Sequence, residues 1–595
     1  MPLRFSSSSA LSLFLLLFAL SAALGVLPAY DAGLSTATLM AVFAGVGLYF
    51  VIAYGPRDRS SVRVAAAIGM LTALALALYF IGQYGHLNYE KGGILSRLGE
   101  LTTFLPDLGG FTPHPNAAAT FMEVALPLGL ALAWSGRSTR TRALWAICSF
   151  IIAYAVFLTA SRGSWLALGL TAALAMALTV LNRLPRRAAA LTIVVGGLVL
   201  VAGLAVILAL GPERLPLLAS TFWRAFDRGR LFQNSLHLAS DYAFTGIGLG
   251  DTFALLYSRY VLMIQAPFLT YAHNLPLSVW LNQGLLGLTA FLGVVAAFYL
   301  FAYRVYGTRP SRLFHGAWLG VTVTLLHGLT DAPQYADSRW VMPMWLAWMG
   351  LAVASGRLTL RDTRPALHSP VRARRLLTVA AALLIALVLV FNRPLLALWH
   401  TNLGAVAEAR AELNERLAPE QRDAENAVAV AEYRNALDLD PSQPNANRRL
   451  GNLLVKLDRL DEAVPFLEAA FAADPARDAT IKGLGLAYVW VGRLDDAVRI
   501  FRLLEDAHDM PEELLTWGFY RSENDRPLLA AYAYETAILL DGRSKVEVWL
   551  LAADAYRAAD QVDAAGAWYN RVLAVDPDNE RATRALNQIG SQNNH

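Results

Sequence analysis

The sequence predicts an all-α protein in two parts: a polytopic bundle of transmembrane helices, then a solenoid of paired helices. Three observations carry this. The 595 residues are 56% hydrophobic and only 16% charged, with a mean hydropathy of +0.41, as in chains that live largely in a bilayer. Apolar runs of about 20 residues, enough to cross the hydrocarbon, recur through the first two-thirds. Beyond about residue 400 an Ala-, Leu-, Asp- and Glu-rich pattern with a 34-residue period takes over. The expected domains are therefore a membrane domain over 1–395 and a repeat domain over 396–595.

Eleven spans are expected, near 10–28, 34–54, 64–82, 116–134, 143–160, 164–181, 188–210, 275–303, 313–330, 339–355 and 376–392. The first follows Arg4 and precedes Leu27-Pro28-Ala29, like a signal peptide. Its apolar stretch is longer than a usual signal core, which favours a retained anchor. Arginine clusters mark alternate loops: Arg57, Arg59 and Arg63; Arg137, Arg140 and Arg142; Arg183, Arg186 and Arg187; Arg304, Arg309 and Arg312; and six between Arg357 and Arg375. Positively charged loops face the cytoplasm. The amino terminus is then cytoplasmic, and an odd span count puts the repeat domain outside, in a plasma or inner membrane. The lone Cys148 excludes an internal disulfide.

Three external segments stand out: 83–115, the tight Ser161-Arg162-Gly163-Ser164 turn, and a long loop at 211–273. The last holds Arg214, Arg224, Arg228, Arg230 and Arg259, against the charge rule, so these cations need a reason other than topology. In Gly109-Gly110-Phe111-Thr112-Pro113-His114-Pro115-Asn116, Pro115 drives His114 to an extended conformation and Asn116 is a candidate helix cap. Glu123, about two turns further, would be costly unpaired. At the end of the long loop, Asn274 and Pro276 suit a helix start, which fixes His273 at the membrane edge.

In the last third, Asp440-Pro441, Asp474-Pro475 and Asp576-Pro577 are separated by 34 and three times 34 residues. Leu460-Asp461-Glu462-Ala463 recurs as Leu494-Asp495-Asp496-Ala497 and more loosely as Val562-Asp563-Ala564-Ala565, with Ala531 in phase. This is a tetratricopeptide pattern of four to five repeats, a candidate surface for a protein partner.

Phe111-Thr112-Pro113-His114-Pro115-Asn116 before one helix, Ser161-Arg162-Gly163 opening another, Arg230 upstream of Thr245-Gly246-Ile247-Gly248-Leu249-Gly250, and Ala272-His273-Asn274-Leu275 leading to Gln283-Gly284-Leu285-Leu286-Gly287 resemble the O-antigen ligase/polymerase superfamily over about residues 100–350. Ala243 and Asn282 depart from its pattern, where proline and glutamate are usual. The resemblance implies transfer of a glycan from undecaprenyl diphosphate to an acceptor hydroxyl on a glycan, lipid or protein, without metal or cofactor, among membrane lipids and with no nucleic-acid partner. The chemistry of the residues agrees. Arginine stays protonated and forks onto phosphate oxygens, so Arg162 and Arg230 are candidate clamps on the diphosphate. An imidazole can take a hydroxyl proton near neutral pH, which makes His273 the candidate catalytic base. His114, Asn116, Asn274 and Asp331 are supporting candidates, Asp331 as the partner of a clamp arginine.

Each assignment has a plainer rival. Arg162 suits a lipid headgroup, Arg230 a solvated helix face, and Arg228 and Arg259 loop contacts. His237 reads as a loop residue, and His315 and His327 as helix-packing groups. The 246–250 glycines read as a turn that lets backbone approach the substrate. Ligase, polymerase and protein O-oligosaccharyltransferase remain alternatives within the superfamily, with a membrane scaffold or a transporter in polysaccharide export outside it. Polar groups gather at the external edge rather than the midplane, which argues against a transporter.

Overall fold

The computed structural model describes residues 7–87, 93–107, 113–181, 183–185, 188, 224–263, 269–308, 310–335, 339–361, 390–504, 507–541 and 545–592. These are helical and without strands, and they divide into two compact units. One comprises Met1–Tyr257 and Pro267–Ala381; the other comprises Ser258–Ala266 and Ala382–His595.

In the first unit the helices are α1 (Ser7–Leu24), α2 (Ala32–Tyr54), α3 (Arg59–Gln83), α4 (Ile94–Glu100), α5 (Pro115–Glu123), α6 (Ala125–Ser135), α7 (Thr139–Leu158), α8 (Arg162–Leu181), α9 (Arg224–Asp241), α10 (Thr252–Leu262, running into the second unit), α11 (Leu275–Tyr306), α12 (Arg312–His327) and α13 (Met342–Arg361). Six helices among the described residues are long and apolar enough to cross a membrane, and the chain is a multi-pass membrane protein. The expected spans at 188–210 and 376–392 lie outside the described residues, apart from Ala188 and 390–392. Short polar side chains start the helices: Asp31, Asp58, Ser138 and Ser311 each accept a backbone N–H of the first turn. The fourth span is divided into α5 and α6 at Val124. Pro127 has no N–H to offer the Glu123 carbonyl, so the ladder lapses there.

α1 packs along α11, α2 along α13, and α6 along α12. Their meeting faces bury Phe18, Tyr49, Phe298, Phe301 and Phe314. Outward faces of α3, α7 and α11 expose Ile68, Leu71, Phe150, Leu292 and Leu300, the apolar surface that lipid covers.

The second unit stacks helix pairs: α14 (Asn392–Leu413) with α15 (Pro419–Leu439), α16 (Pro444–Lys456) with α17 (Leu460–Ala473), α18 (Asp478–Trp490) with α19 (Leu494–Phe501), α20 (Met510–Glu523) with α21 (Pro527–Asp541), and α22 (Val546–Ala558) with α23 (Val562–Val575), followed by α24 (Glu580–Gln592). The 34-residue phase is a packing phase. Ala463, Ala497, Ala531 and Ala565 are all 0% exposed, because a larger side chain there would part the helices. Within the later four pairs the first helix ends on a residue with positive φ: Asp458, Gly492, Asp525 and Asp560. The next N–H then reaches back five residues, as from Arg459 to Leu454 O at 2.9 Å and from Arg493 to Tyr488 O at 2.8 Å, closing the helix ends.

Candidate functional site

Asp331, just past the end of α12 and 3% exposed, is the hub. Its carboxylate accepts from Asn116 Nδ2 at 2.5 Å, Tyr271 Oη at 2.7 Å, its neighbour Ala332 N at 2.8 Å and His273 Nδ1 at 3.1 Å. Three of the four donors meet Oδ1 and Asn116 meets Oδ2. Asp331 pairs with His273, where pairing with a clamp arginine was expected. Burial works to raise the Asp331 pKa, but the hydrogen bond and charge of His273, the charge of His327 and the Tyr271 hydroxyl outweigh it. They hold the carboxyl well below the usual carboxylate range. Tyr271 is pushed up, by burial first and then by the Asp331 charge.

A carboxylate only accepts, so His273 Nδ1 carries a proton, and in the neutral form of the ring Nε2 keeps its lone pair. The backbone holds the ring in place. His273 has φ of 50°, a strained value for a side-chain-bearing residue, and its ring centroid lies 4.0 Å from that of Tyr271. Asn274 caps α11 through Leu277 N at 3.0 Å and donates to Leu329 O at 3.0 Å. Leu275 N donates to Gly328 O at 2.5 Å. The start of α11 is thereby fastened to the end of α12.

His114 and Asn116 exchange their expected parts. The imidazole of His114 caps α5, accepting from Asn116 N at 3.3 Å. The Asn116 side chain is thereby free to reach Asp331. Desolvation lowers the His114 pKa, and the His273 charge lowers it further against the pull of Asp331.

Beneath this cluster Glu123, 0% exposed, finds the partner it needs. His327 Nδ1 lies 2.9 Å from Glu123 Oε1, and His327 Nε2 points to Ser161 Oγ at 3.5 Å. A Cβ on Gly163 would stand 2.7 Å from Thr330 Oγ1 and 2.8 Å from His327 Cδ2. Only glycine lets the start of α8 close on the end of α12, and this brings the exposed Arg162 to the cluster's edge. His315 is a packing group, bonded to Ser311 O at 3.0 Å and edge-on to Tyr306.

The loop arginines divide by helix phase. Arg228 Nη1 donates to the Thr330 carbonyl, one residue before Asp331. Arg230, two residues on and so on another side of α9, acts on the hydroxyl of Tyr257. Arg228, expected as a loop contact, meets the cluster through its bond to Thr330. Arg259 is paired with Glu412 in the second unit, and His237 lies on helix α9 rather than in irregular loop.

Residues 147–292 match the family model described as O-antigen ligase. Over this stretch the chain is O-antigen ligase-like. Residues 446–477 and 546–579 match the tetratricopeptide repeat model, so the carboxy-terminal region carries these repeats. No curated protein matches the chain. Among the solved structures similar to it are two that are matched over most of their own length. One is the crystal structure of MamA protein, with 14% identity and TM-score 0.19, covering 30% of this chain and 90% of that one. The other is the crystal structure of a thermophilic TPR protein in Thermus thermophilus, with 21% identity and TM-score 0.16, covering 27% and 91%.

In the O-antigen ligase-like domain the turn at 246–250 approaches other backbone of the chain. Within α11, Gly284 leaves the helical region with φ 64° and ψ −167°. Leu281 O, deprived of its helical donor, accepts from Ile247 N at 2.7 Å, and Leu285 N donates to Ala243 O at 3.0 Å. The loop thus satisfies the groups that the break exposes. The variant positions serve this junction: Ala243 O also accepts from Trp280 Nε1 at 2.9 Å, and Asn282 Oδ1 accepts from Gly250 N at 3.1 Å.

Tyr271, Arg228 and the Glu123–His327 pair escaped the sequence reading as members of the cluster. Glu123 carried a signal in its cost, and His327 one in its place at a span's outer end. Tyr271 carried none.

Proposed function

We propose that the protein transfers a glycan from undecaprenyl diphosphate to an acceptor hydroxyl at the external face of the inner membrane. The observation that carries this reading is the 3.1 Å pairing of His273 Nδ1 with the buried carboxylate of Asp331. It orients an imidazole with its other nitrogen available as a base, in the manner of other His–carboxylate pairs.

In the proposed step His273 Nε2 takes the acceptor hydroxyl's proton while the oxygen attacks the anomeric carbon. The bond from that carbon to the diphosphate oxygen breaks, and its electron pair stays on the diphosphate. Arg162 and Arg230 bind the diphosphate through charge-assisted hydrogen bonds, each worth about 1.5–3 kcal/mol net. Arg228 adds positive charge nearest the His273–Asp331 pair. Neutralisation comes from arginine, so the step as written needs no metal. His114, Asn116 and Asn274 hold the frame around Asp331. A polysaccharide polymerase or a protein O-oligosaccharyltransferase would use the same step on a different acceptor.

The test is transfer measured by mass with purified protein, a lipid-diphosphate glycan and candidate acceptors. His273→Ala should lower the rate about 10²–10⁴-fold with donor binding intact. His273→Gln retains hydrogen bonding without basicity. A Gln variant above about a tenth of the wild-type rate loses less than a general base contributes and removes His273 from the mechanism.

A further inference from the structure

The second unit contains more than its repeats, because it takes in Ser258–Ala266 at the end of α10. Three contacts of different kinds hold this segment. Arg259 Nε lies 2.9 Å from Glu412 Oε1. The guanidinium of Arg448, on a residue 4% exposed, sits 5.1 Å over the ring of Tyr260. Met263, 9% exposed, joins the apolar cluster that includes Ile481, Leu484 and Tyr488. Glu412, Arg448 and Ile481 stand on α14, α16 and α18, the first helices of three successive pairs.

The segment is shaped as a helix end. Met263 has φ of 60°, and Arg259 Nη1 donates to the Met263 carbonyl, which closes the terminus. Its seat is charged and ordered. Glu408 accepts from Arg449 Nη1 at 2.9 Å and Tyr433 Oη at 2.6 Å and lies 3.4 Å from Lys456 Nζ, which also pairs with Glu412. Arg259 completes a group of alternating sign. Repeat solenoids bind helices and extended peptides on such faces, and here the bound peptide is covalently attached. A tether of this kind supplies an effective concentration on the order of millimolar, which any soluble competitor for the same seat must exceed.

We propose that the repeat domain is an intramolecular receptor for the 258–263 end of α10, and that this capture positions the loop arginines. The route is short. Tyr257, the preceding residue, bonds Asn234 of α9 and feels the charge of Arg230, and α9 also carries Arg228. The effect on the arginines rests on the proposed glycan transfer; the capture itself does not.

The experiment uses the full chain in detergent, with hydrogen exchange of the 252–263 peptide and glycan transfer read in parallel. Arg259→Glu sets a carboxylate against Glu408 and Glu412 and should speed exchange of that peptide at least tenfold and slow transfer at least fivefold. Adding Glu412→Lys keeps the net charge of the group and should restore both. Tyr260→Ala, which removes a ring and no charge, should open the same peptide. Unchanged exchange in Arg259→Glu and Tyr260→Ala overturns the capture. Faster exchange with undiminished transfer overturns the positioning role. Should the wild type transfer no glycan from any lipid diphosphate, the proposed function fails, while the exchange result still decides the capture.

Discussion

Replacing Asp331 by Asn changes little in shape and much in hydrogen bonding. Four donors converge on the carboxylate at 2.5–3.1 Å. The backbone N–H of Ala332, the Tyr271 hydroxyl and His273 all meet Oδ1, so a replacing amide sets its oxygen there and its NH₂ against Asn116. The bond to Asn116, about 1.5–3 kcal/mol net, is lost, and the others weaken from charge-assisted to neutral. The sharper consequence falls on His273. Its Nδ1 still meets an oxygen, but a neutral amide no longer stabilises the imidazolium that forms when Nε2 takes a proton. In Ser-His-Asp hydrolases the same exchange lowers kcat by roughly 10⁴, so glycan transfer by Asp331→Asn should fall about 10²–10⁴-fold. The assay is transfer by mass, with gel filtration of the purified variant to establish that it is folded. Asn116→Ala, which removes one donor and leaves the carboxylate, should cost less than tenfold. A folded Asp331→Asn protein within tenfold of wild type would show that the charge of Asp331 beside His273 is irrelevant to turnover.

Gly284→Ala should prevent accumulation of folded protein in the membrane, since its Cβ would stand 2.0 Å from Phe244 O; normal yield and gel-filtration behaviour would contradict the junction described here. The repeat unit should lose stability in acid. Burial raises the Glu408 pKa, but Lys456, Arg449 and Tyr433 outweigh it and hold it at about 2, below its unfolded value of about 4.3. Its contribution is complete above that unfolded value and is lost as pH falls toward about 2. Thermal melts of the full chain followed by circular dichroism should show this loss, and Glu408→Gln should flatten it; parallel wild-type and variant profiles would refute it. Alkaline phosphatase fused after Arg422 should be active, because the proposed topology places the repeats outside the cytoplasm, and a reporter active only in the cytoplasm at that position would reverse it.

What could be read from the chain alone was whatever repeats or sits next to its partner in sequence. The 34-residue phase named Ala463, Ala497, Ala531 and Ala565 because each repeat solves the same packing problem locally. Asn274 and Pro276 announced a helix start for the same reason. The cluster residues at 114–116, 162, 273 and 331 were legible as chemistry but not as partners. Asp331 was expected opposite an arginine because opposite charges attract; that Tyr271, Asn116 and His273 would converge on it depends on how α5, α11 and α12 meet. That Arg228 meets the Thr330 carbonyl depends on where α9 lies against the end of α12, which is not local to the arginine in sequence. The glycines at 246–250 promised close approach, and what approaches is the broken segment of α11, some 35 residues on in the chain.

That break also sets a distance. Unbroken, the 32 residues of α11 would form a rod of about 48 Å at 1.5 Å per residue, much longer than a hydrocarbon core of about 30 Å. Interrupted at Gly284, the piece from Leu285 to Tyr306 measures about 33 Å and can cross the bilayer by itself. The outer piece, about 14 Å from Leu275 to Gln283, then works as a stand-off. In the proposed topology it lifts His273 clear of the acyl chains by roughly the depth of a headgroup layer, and the loop packed into the break holds that spacer in place. The proposed transfer would then run in an aqueous margin while the lipid carrier stays immersed.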